Sequence, residues 1–341
     1  MIRDRWYAIL EAKKVTNKPL GIKRLGENLV LWRSKTGEVV CMPDRCSHRG
    51  AILSTGRIKD SCLECPFHGF QFDEEGHCRL IPANGKDKPV PCAFDLHTYV
   101  IREEHDFIWL WWGRRREELP ALPWFDEIPA TTANSHTIVF QWNVSFDRVV
   151  ETMLDMHHYP FVHRKVRPQP GTLIDPMHAA IEGDMISVWG NLRPDNGKSV
   201  DEAPGFPFQM SVHFPGMMTQ RLTPKLWLLG AFAPLDENST WLAFRYYQTY
   251  VQVPIIGKFL AWISAYRELK IVHGDDERVL ETIEPQHPTL GSYRLIPADK
   301  GVALWLRHLH KHTQPDSLVL GETEVTAGLN GREKHLHSST R

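Results

Sequence analysis

The chain has no excess of charge of either sign: 40 Lys and Arg side chains stand against 41 Asp and Glu. The resulting net charge of −1 excludes a global field that would recruit nucleic acid or an anionic membrane, and it suits a small-molecule substrate better than a polyanion. Long apolar runs are missing too. No stretch reaches the ~18 uncharged apolar residues of a membrane span, and the opening Met1-Ile2-Arg3-Asp4-Arg5-Trp6 puts charges where a signal peptide needs an apolar core. The expectation is a soluble, cytoplasmic protein. No Gly-x-Gly-x-x-Gly occurs, so nothing reads as a dinucleotide site, and no internal repeat is visible. Six cysteines, unevenly placed along 341 residues, suggest metal ligation or free thiols in a reducing compartment rather than a disulfide framework. Cys41, Cys62, Cys78 and Cys92 have no distinctive spacing and read as buried small apolar residues.

At roughly 100–200 residues per domain, the length allows about two domains. From residue 28 to about 113, short β-rich runs alternate with turn signals: strands over 28–32, 39–42 and 107–112, with Lys35-Thr36-Gly37-Glu38 as a turn. The charged run 114–118, with Pro120 and Pro123 behind it, reads as a linker. A small antiparallel β-domain is therefore expected over residues 1–115. Residues 116–310 mix a strand over 240–247 with a long helix over 256–283 that Pro285 ends, which makes an α+β domain. Residues 311–341 are polar and aperiodic and read as a tail. His308, His310 and His312, with Arg307 and Lys311 among them, read as a solvated strand or loop rather than a metal site.

Two short pairs carry the clearest chemistry. Cys46-Ser47-His48 and Cys65-Pro66-Phe67-His68 place two thiols and two imidazoles on two loops of the β-domain. Such a set suits tetrahedral Zn²⁺, or a [2Fe–2S] cluster in which thiolates hold one iron and imidazoles the other. Neutral imidazoles remove negative charge from such a cluster and raise its reduction potential. Gly50 and Gly69 follow the histidines and let backbone pack closely around a cluster. The stretch from Cys46 to Gly69, followed by Phe70-Gln71-Phe72-Asp73 and Gly76, resembles the Rieske iron–sulfur signature.

A second constellation lies further on. The pattern predicts a helix over 148–159, stopped by Pro160, with Glu151, Asp155 and His158 on one face and His163 just past the break. Two histidines and a carboxylate are the facial set of Fe(II) oxygenases, which leave positions open for O₂. Asp276 supplies the carboxylate in this reading. On the expected helix it shares a face with Leu269, Val272, Val279, Leu280 and Ile283, and a carboxylate aimed at a core needs a cation. Asp275 lies nearer Arg278 and reads as a surface residue. Residues Glu151 to His163 resemble the E-N-x-x-D-x-x-H-x-x-x-x-H motif of the α-subunits of Rieske non-haem iron oxygenases, with Thr152 where the family commonly has Asn.

That resemblance implies a Rieske [2Fe–2S] domain followed by a helix-grip (START-like) catalytic domain. It implies a [2Fe–2S] cluster held by Cys46, His48, Cys65 and His68, and a mononuclear Fe(II) held by His158, His163 and Asp276. It gives Asp155 the catalytic role of bridging the two centres, meeting His68 of the partner subunit in a homotrimer. A separate NAD(P)H-dependent reductase or ferredoxin would supply electrons, with no nucleic acid or membrane as partner. Single-chain size and motif order look most like the monooxygenase and demethylase branch, which is vanillate demethylase-like and pheophorbide a oxygenase-like. The implied reaction uses O₂ to hydroxylate or O/N-demethylate a small aromatic, alkaloid or polycyclic substrate. Two alternatives stay open: a Rieske-type electron-transfer protein without oxygenase activity, and a zinc-stabilised binding protein. Met217, Met218, Trp227, Trp241, Phe244, Tyr246 and Tyr247 suit an apolar pocket or a core equally.

Overall fold

In this computed structural model, which describes residues 1–129, 132–165, 171–203, 205–267, 270 and 273–313, the N-terminal part is built from antiparallel strands with short 3-10 turns between them. Its elements are β1 (Arg5–Glu11), β2 (Leu20–Arg24), β3 (Glu27–Arg33), β4 (Val39–Pro43), β5 (Arg57–Lys59), β6 (Cys62–Glu64), β7 (Gln71–Phe72), β8 (Cys78–Leu80), β9 (Ile101–Glu104) and β10 (Phe107–Trp112). They form three sheets, ordered β1-β10-β9, β2-β3-β4 and β5-β6-β7-β8. Three hairpins turn on two residues each: Leu25-Gly26, Asp60-Ser61 and His105-Asp106, all at positive φ. Two successive positive φ values match the right-handed twist of the flanking strands. Leu25 holds this conformation because its amide donates to the Pro234 carbonyl at 2.6 Å and that of Gly26 to Leu235 at 3.0 Å. The hairpin tip is thereby pinned to the second half of the chain.

That second half is α+β. Seven strands, β11 (Ser135–Trp142), β12 (Leu173–Glu182), β13 (Met185–Arg193), β14 (Phe206–His213), β15 (Met217–Thr223), β16 (Leu226–Pro234) and β17 (Thr240–Gln248), make one antiparallel sheet in the order β11-β17-β16-β15-β14-β13-β12. Five helices accompany it among the described residues: α1 (Phe146–Thr152), α2 (Tyr159–Val162), α3 (Pro254–Arg267), α4 (His273–Leu280) and α5 (Lys300–Thr313). α5 lies on β12, β13 and α1, while α3 covers β11 and β17, so the sheet grips helices at both of its ends. There are two cores. The smaller contains Val30, Trp32, Leu53, Leu63, Phe70 and Phe72, together with Cys46 and Cys65. The larger joins β1 and β10 to the seven-stranded sheet and its helices.

Several sequence expectations need correction. The helix expected over 148–159 ends at Thr152, and Pro160 does not stop a helix but sits in the first turn of α2. A first-turn proline forfeits nothing, because that amide has no partner inside a helix. The helix expected over 256–283 is described as α3 and α4; Leu269 and Val272 lie outside the described residues, and α4 closes at Leu280. Val279 is 36 % exposed rather than inward. His308, His310 and His312 are on α5, not on a strand or loop, and the helix continues to Thr313. The rest of the expected tail lies outside the described residues. Of the four unassigned cysteines, Cys41 and Cys78 are buried, Cys62 is half-buried and Cys92 is exposed.

Gly301, in the first turn of α5, shows how closely that helix seats against the site-bearing segment. A Cβ there would lie 2.4 Å from Cγ1 of the buried Val188 and 3.0 Å from the Leu154 carbonyl oxygen. Gly301→Val is therefore expected to cost about 1–3 kcal/mol by overpacking, read as a lower midpoint in chemical denaturation. A denaturation midpoint equal to the parent's would contradict this.

Candidate metal centres

The first four candidate ligands sit on two loops with the same backbone design. One, between β4 and β5, carries Cys46 and His48; the other, between β6 and β7, carries Cys65 and His68. In the first, the Cys46 amide donates to Ala51 O at 2.9 Å and the Gly50 amide to Cys46 O at 2.9 Å. In the second, the Cys65 amide donates to Phe70 O at 2.8 Å and the Gly69 amide to Cys65 O at 3.1 Å. Gly50 and Gly69 both have φ of 72°. The glycine requirement at Gly50 is thus conformational: nothing lies closer to its would-be Cβ than an Arg45 nitrogen at 3.9 Å.

The loops bring all four side chains together. The Cys46 and Cys65 thiols are hydrogen-bonded to each other and buried, 4 % and 3 % exposed, whereas His48 and His68 are at the surface with ring centroids 4.8 Å apart. His48 stacks on Phe70 at 4.7 Å, which fixes its ring. Burial, with the neighbouring Cys65 thiol adding to it, pushes Cys46 up to about 11. Thiolates would be costly here without a cation, and two thiols inside with two imidazoles outside fit an iron–sulfur cluster that exchanges electrons through its histidine edge.

The second group is assembled from the two ends of one helix and from a second helix. His158 precedes α2, His163 follows it, and Asp276 projects from α4. His163 Nε2 lies 3.1 Å and His158 Nε2 3.6 Å from Asp276 Oδ1, and one donor atom from each residue falls within 4.8 Å of the others. His158 Nδ1 is 3.3 Å from Asp155 Oδ2. A carboxylate on the far ring nitrogen fixes tautomer and orientation, leaving the Nε2 lone pair facing Asp276. Burial works to lower the His158 pKa, yet Asp155 and Asp276 outweigh it and the net direction is up. The donor set fits a divalent first-row cation with open positions.

Some supporting residues had no signal in the sequence reading. Asp155 Oδ1 accepts from the His157 amide at 2.8 Å, and His157 is itself anchored by its Nε2, 2.8 Å from Asp299 Oδ1. Glu151 is not aimed at the metal group. It bonds the buried Arg148 at 2.9 Å and the Tyr293 hydroxyl, and burial, only partly offset by Arg148, pushes it up to about 7. Thr152 Oγ1 donates back to the Arg148 carbonyl at 2.9 Å. Asp275 pairs with Arg278 at 3.3 Å, and its side chain is 13 % exposed rather than at the surface.

A cavity of about 320 Å³ opens onto His158, His163 and Asp276, walled by Met210, Met218, Leu228, Phe244, Tyr246 and Ile263. Strand alternation divides the ambiguous aromatic and Met residues: Met218, Phe244 and Tyr246 face this cavity, whereas Met217, Trp241 and Tyr247 do not line it. A larger trough of about 890 Å³, lined by His178, Trp189 and Arg221 among others, touches none of the candidate ligands.

Paired Cys/His loops on an antiparallel β-domain are thus joined to a helix-grip sheet with a His, His, Asp group at its cavity. Residues 5–99 match the family model of the Rieske [2Fe-2S] domain. Aminopyrrolnitrin oxygenase PrnD of Pseudomonas fluorescens is 34 % identical over 167 residues, 46 % of this chain and 45 % of that protein. Methylxanthine N1-demethylase NdmA of Pseudomonas putida is 36 % identical over 169 residues, 47 % of this chain and 44 % of the relative. These matches span less than half the length of the curated relatives. Solved structures share the fold across nearly the whole chain: dicamba monooxygenase bound to 3,6-dichlorosalicylic acid superposes with a TM-score of 0.69 at 20 % identity, covering 91 % of this chain and 97 % of that one. The chain thus carries a Rieske [2Fe–2S] domain over residues 5–99, and over about half of its length it is similar to Rieske-type oxygenase components. Its Rieske domain implies a [2Fe–2S] cluster.

Proposed function

We propose that the protein is the oxygenase component of a Rieske monooxygenase or demethylase system. The observation that carries this reading is the meeting of His158, His163 and Asp276 at the apolar cavity, in a chain whose residues 5–99 match a Rieske domain. Cys46, His48, Cys65 and His68 would hold the [2Fe–2S] cluster, and His158, His163 and Asp276 a mononuclear Fe(II). Two domains follow from this assignment, 1–115 for the cluster and 116–310 for the iron. When bound, the Fe(II) would supply O₂ activation. The balance is R–H + O₂ + 2e⁻ + 2H⁺ → R–OH + H₂O, with both electrons from a separate NAD(P)H-dependent reductase or ferredoxin. A hydroxylated methyl group on O or N then leaves as formaldehyde.

This chain's residues divide the work. The Met, Leu and Phe walls exclude water and accept a flat apolar substrate, and Asp155 holds His158 in the tautomer that faces the iron. Named relatives act on related compounds, including methylxanthines and vanillate, which supports a small aromatic or alkaloid substrate. A homotrimer fits the surface: the cluster loops and the His/His/Asp group rest on different cores, and among the described residues no hydrogen bond joins His48 or His68 to Asp155. Exposed Phe67 beside His68 and Phe161 beside His163 suit an intersubunit contact across which an electron would pass. No described helix is long and apolar enough to cross a membrane, in keeping with a cytoplasmic location.

The test is turnover with a surrogate reductase on aromatic, alkaloid and polycyclic compounds, reading product mass. Gain of one oxygen or loss of CH₂ supports the proposal. A fully iron-loaded protein that converts none of them would favour an electron carrier. Asp155→Asn is expected to keep both metal centres and the visible spectrum while product formation falls roughly 10–100-fold; unchanged turnover would remove Asp155 from the route.

A further inference from the structure

Away from the cavity, α5 carries a second convergence of metal-binding side chains. His308 and His312 are four residues apart, one turn along the same helix face, and both face the two-residue turn between β12 and β13, where Asp184 stands. One donor atom from each of Asp184, His308 and His312 lies within 4.8 Å of the others. His308 is 9 % exposed and its Nε2 is 2.9 Å from Asp184 Oδ1. His312 Nδ1 is 2.9 Å from the His308 carbonyl oxygen. A ring nitrogen can meet a carbonyl only as a donor, so His312 Nδ1 carries the proton and Nε2 keeps its lone pair. This is the second-sphere arrangement that orients ligating histidines. Phe214 walls the group, its ring 4.7 Å from that of His308 and 5.0 Å from that of His312.

We propose that Asp184, His308 and His312 form an additional site for a divalent first-row cation, best matched by Zn²⁺, which clamps the C-terminal turn of α5 to the β12–β13 hairpin. Two imidazoles and one carboxylate suit tetrahedral zinc, with water in the fourth position. Ligands at zinc distances in tetrahedral geometry stand about 3.3 Å apart. The His308–Asp184 pair at 2.9 Å must therefore open by a few tenths of an ångström, which Asp184 at 35 % side-chain exposure can do. Binding displaces the proton now shared by that pair. The opposing charge is Arg5, whose guanidinium is 3.7 Å from Asp184 Oδ1 and lies over Phe214. At that separation it competes for the carboxylate without closing a tight hydrogen bond. The donor set is the same as that of His158, His163 and Asp276, so adventitious iron here would inflate an iron count above three per chain.

Iron-replete protein dialysed against zinc sulfate and analysed for both metals decides the matter. The parent is expected to retain one zinc per chain without losing iron, and its thermal midpoint to rise with zinc. His312→Ala and Asp184→Asn should bind zinc at least tenfold more weakly and show no zinc-dependent rise, while His310→Ala, an exposed neighbour on the same helix, behaves as the parent. His312 is partly exposed in the last turn, so its variant reports even if the Asp184 variant does not fold. No zinc beyond the iron, equal zinc in His312→Ala, or zinc taken up with matching loss of iron would each overturn the proposal.

Discussion

Cys65→Ser is expected to purify without the visible absorption of an iron–sulfur cluster, two irons short per chain, and with reductase-dependent turnover below detection. Cys65 is 3 % exposed and hydrogen-bonded to Cys46, so the substitution removes one of the two thiols that meet inside the β-domain. A serine hydroxyl keeps the volume but stays protonated near neutral pH and gives the metal no soft anionic ligand. The loop is closed by backbone bonds from Cys65 to Phe70 and from Gly69 to Cys65, which the substitution leaves in place. Secondary structure by circular dichroism should persist, while the melting temperature drops because the cluster ties the two loops to one core. Retention of the parent absorption spectrum would mean that the cluster is held elsewhere.

Asp276→Ala should have an equally complete effect on turnover and almost none on colour. The carboxylate is 8 % exposed and 3.1 Å from His163 Nε2 and 3.6 Å from His158 Nε2, so its removal leaves two neutral imidazoles as the only donors of the group. Two neutral ligands hold Fe(II) far more weakly than a facial set with an anion. One iron per chain is lost, product formation vanishes, and the cluster absorption remains because those ligands rest on the smaller core. Full product formation in this variant would exclude Asp276 as a ligand. Electron uptake from the reductase, followed by bleaching of the visible bands, should continue at the parent rate, which separates the two centres experimentally.

The two sites were not equally legible. Cys46, His48, Cys65 and His68 lie on two adjacent loops whose closure is local, and short spacings carried the pattern. His158 and His163 were readable for the same reason, even though the helix thought to carry them was mistaken: residues 153–158 leave the helix, and α2 starts afresh through Pro160. Helix phase points to Asp276, but two of the residues that set that phase lie outside the described part and Val279 is exposed. Its position beside the histidines comes from the packing of α4 against α2. Glu151, counted with the metal stripe by spacing, turns instead to Arg148 and Tyr293. The histidines of α5 resemble a solvated strand or loop in sequence because Asp184, which His308 meets, is far away in the chain.

The sequence by itself determined which donor side chains lie within short spacings of one another and the order of a β-domain before an α+β domain. Those features depend on residue type and on spacings of a few residues, which neighbouring backbone geometry translates directly. Tertiary structure alone decided which face of β15 and β17 lines the cavity, that Asp155 is braced by His157 with Asp299 behind it, and that Asp184 meets His308. Each of these depends on strand register or on helix docking between distant segments, where burial of a common core rather than local preference sets the outcome.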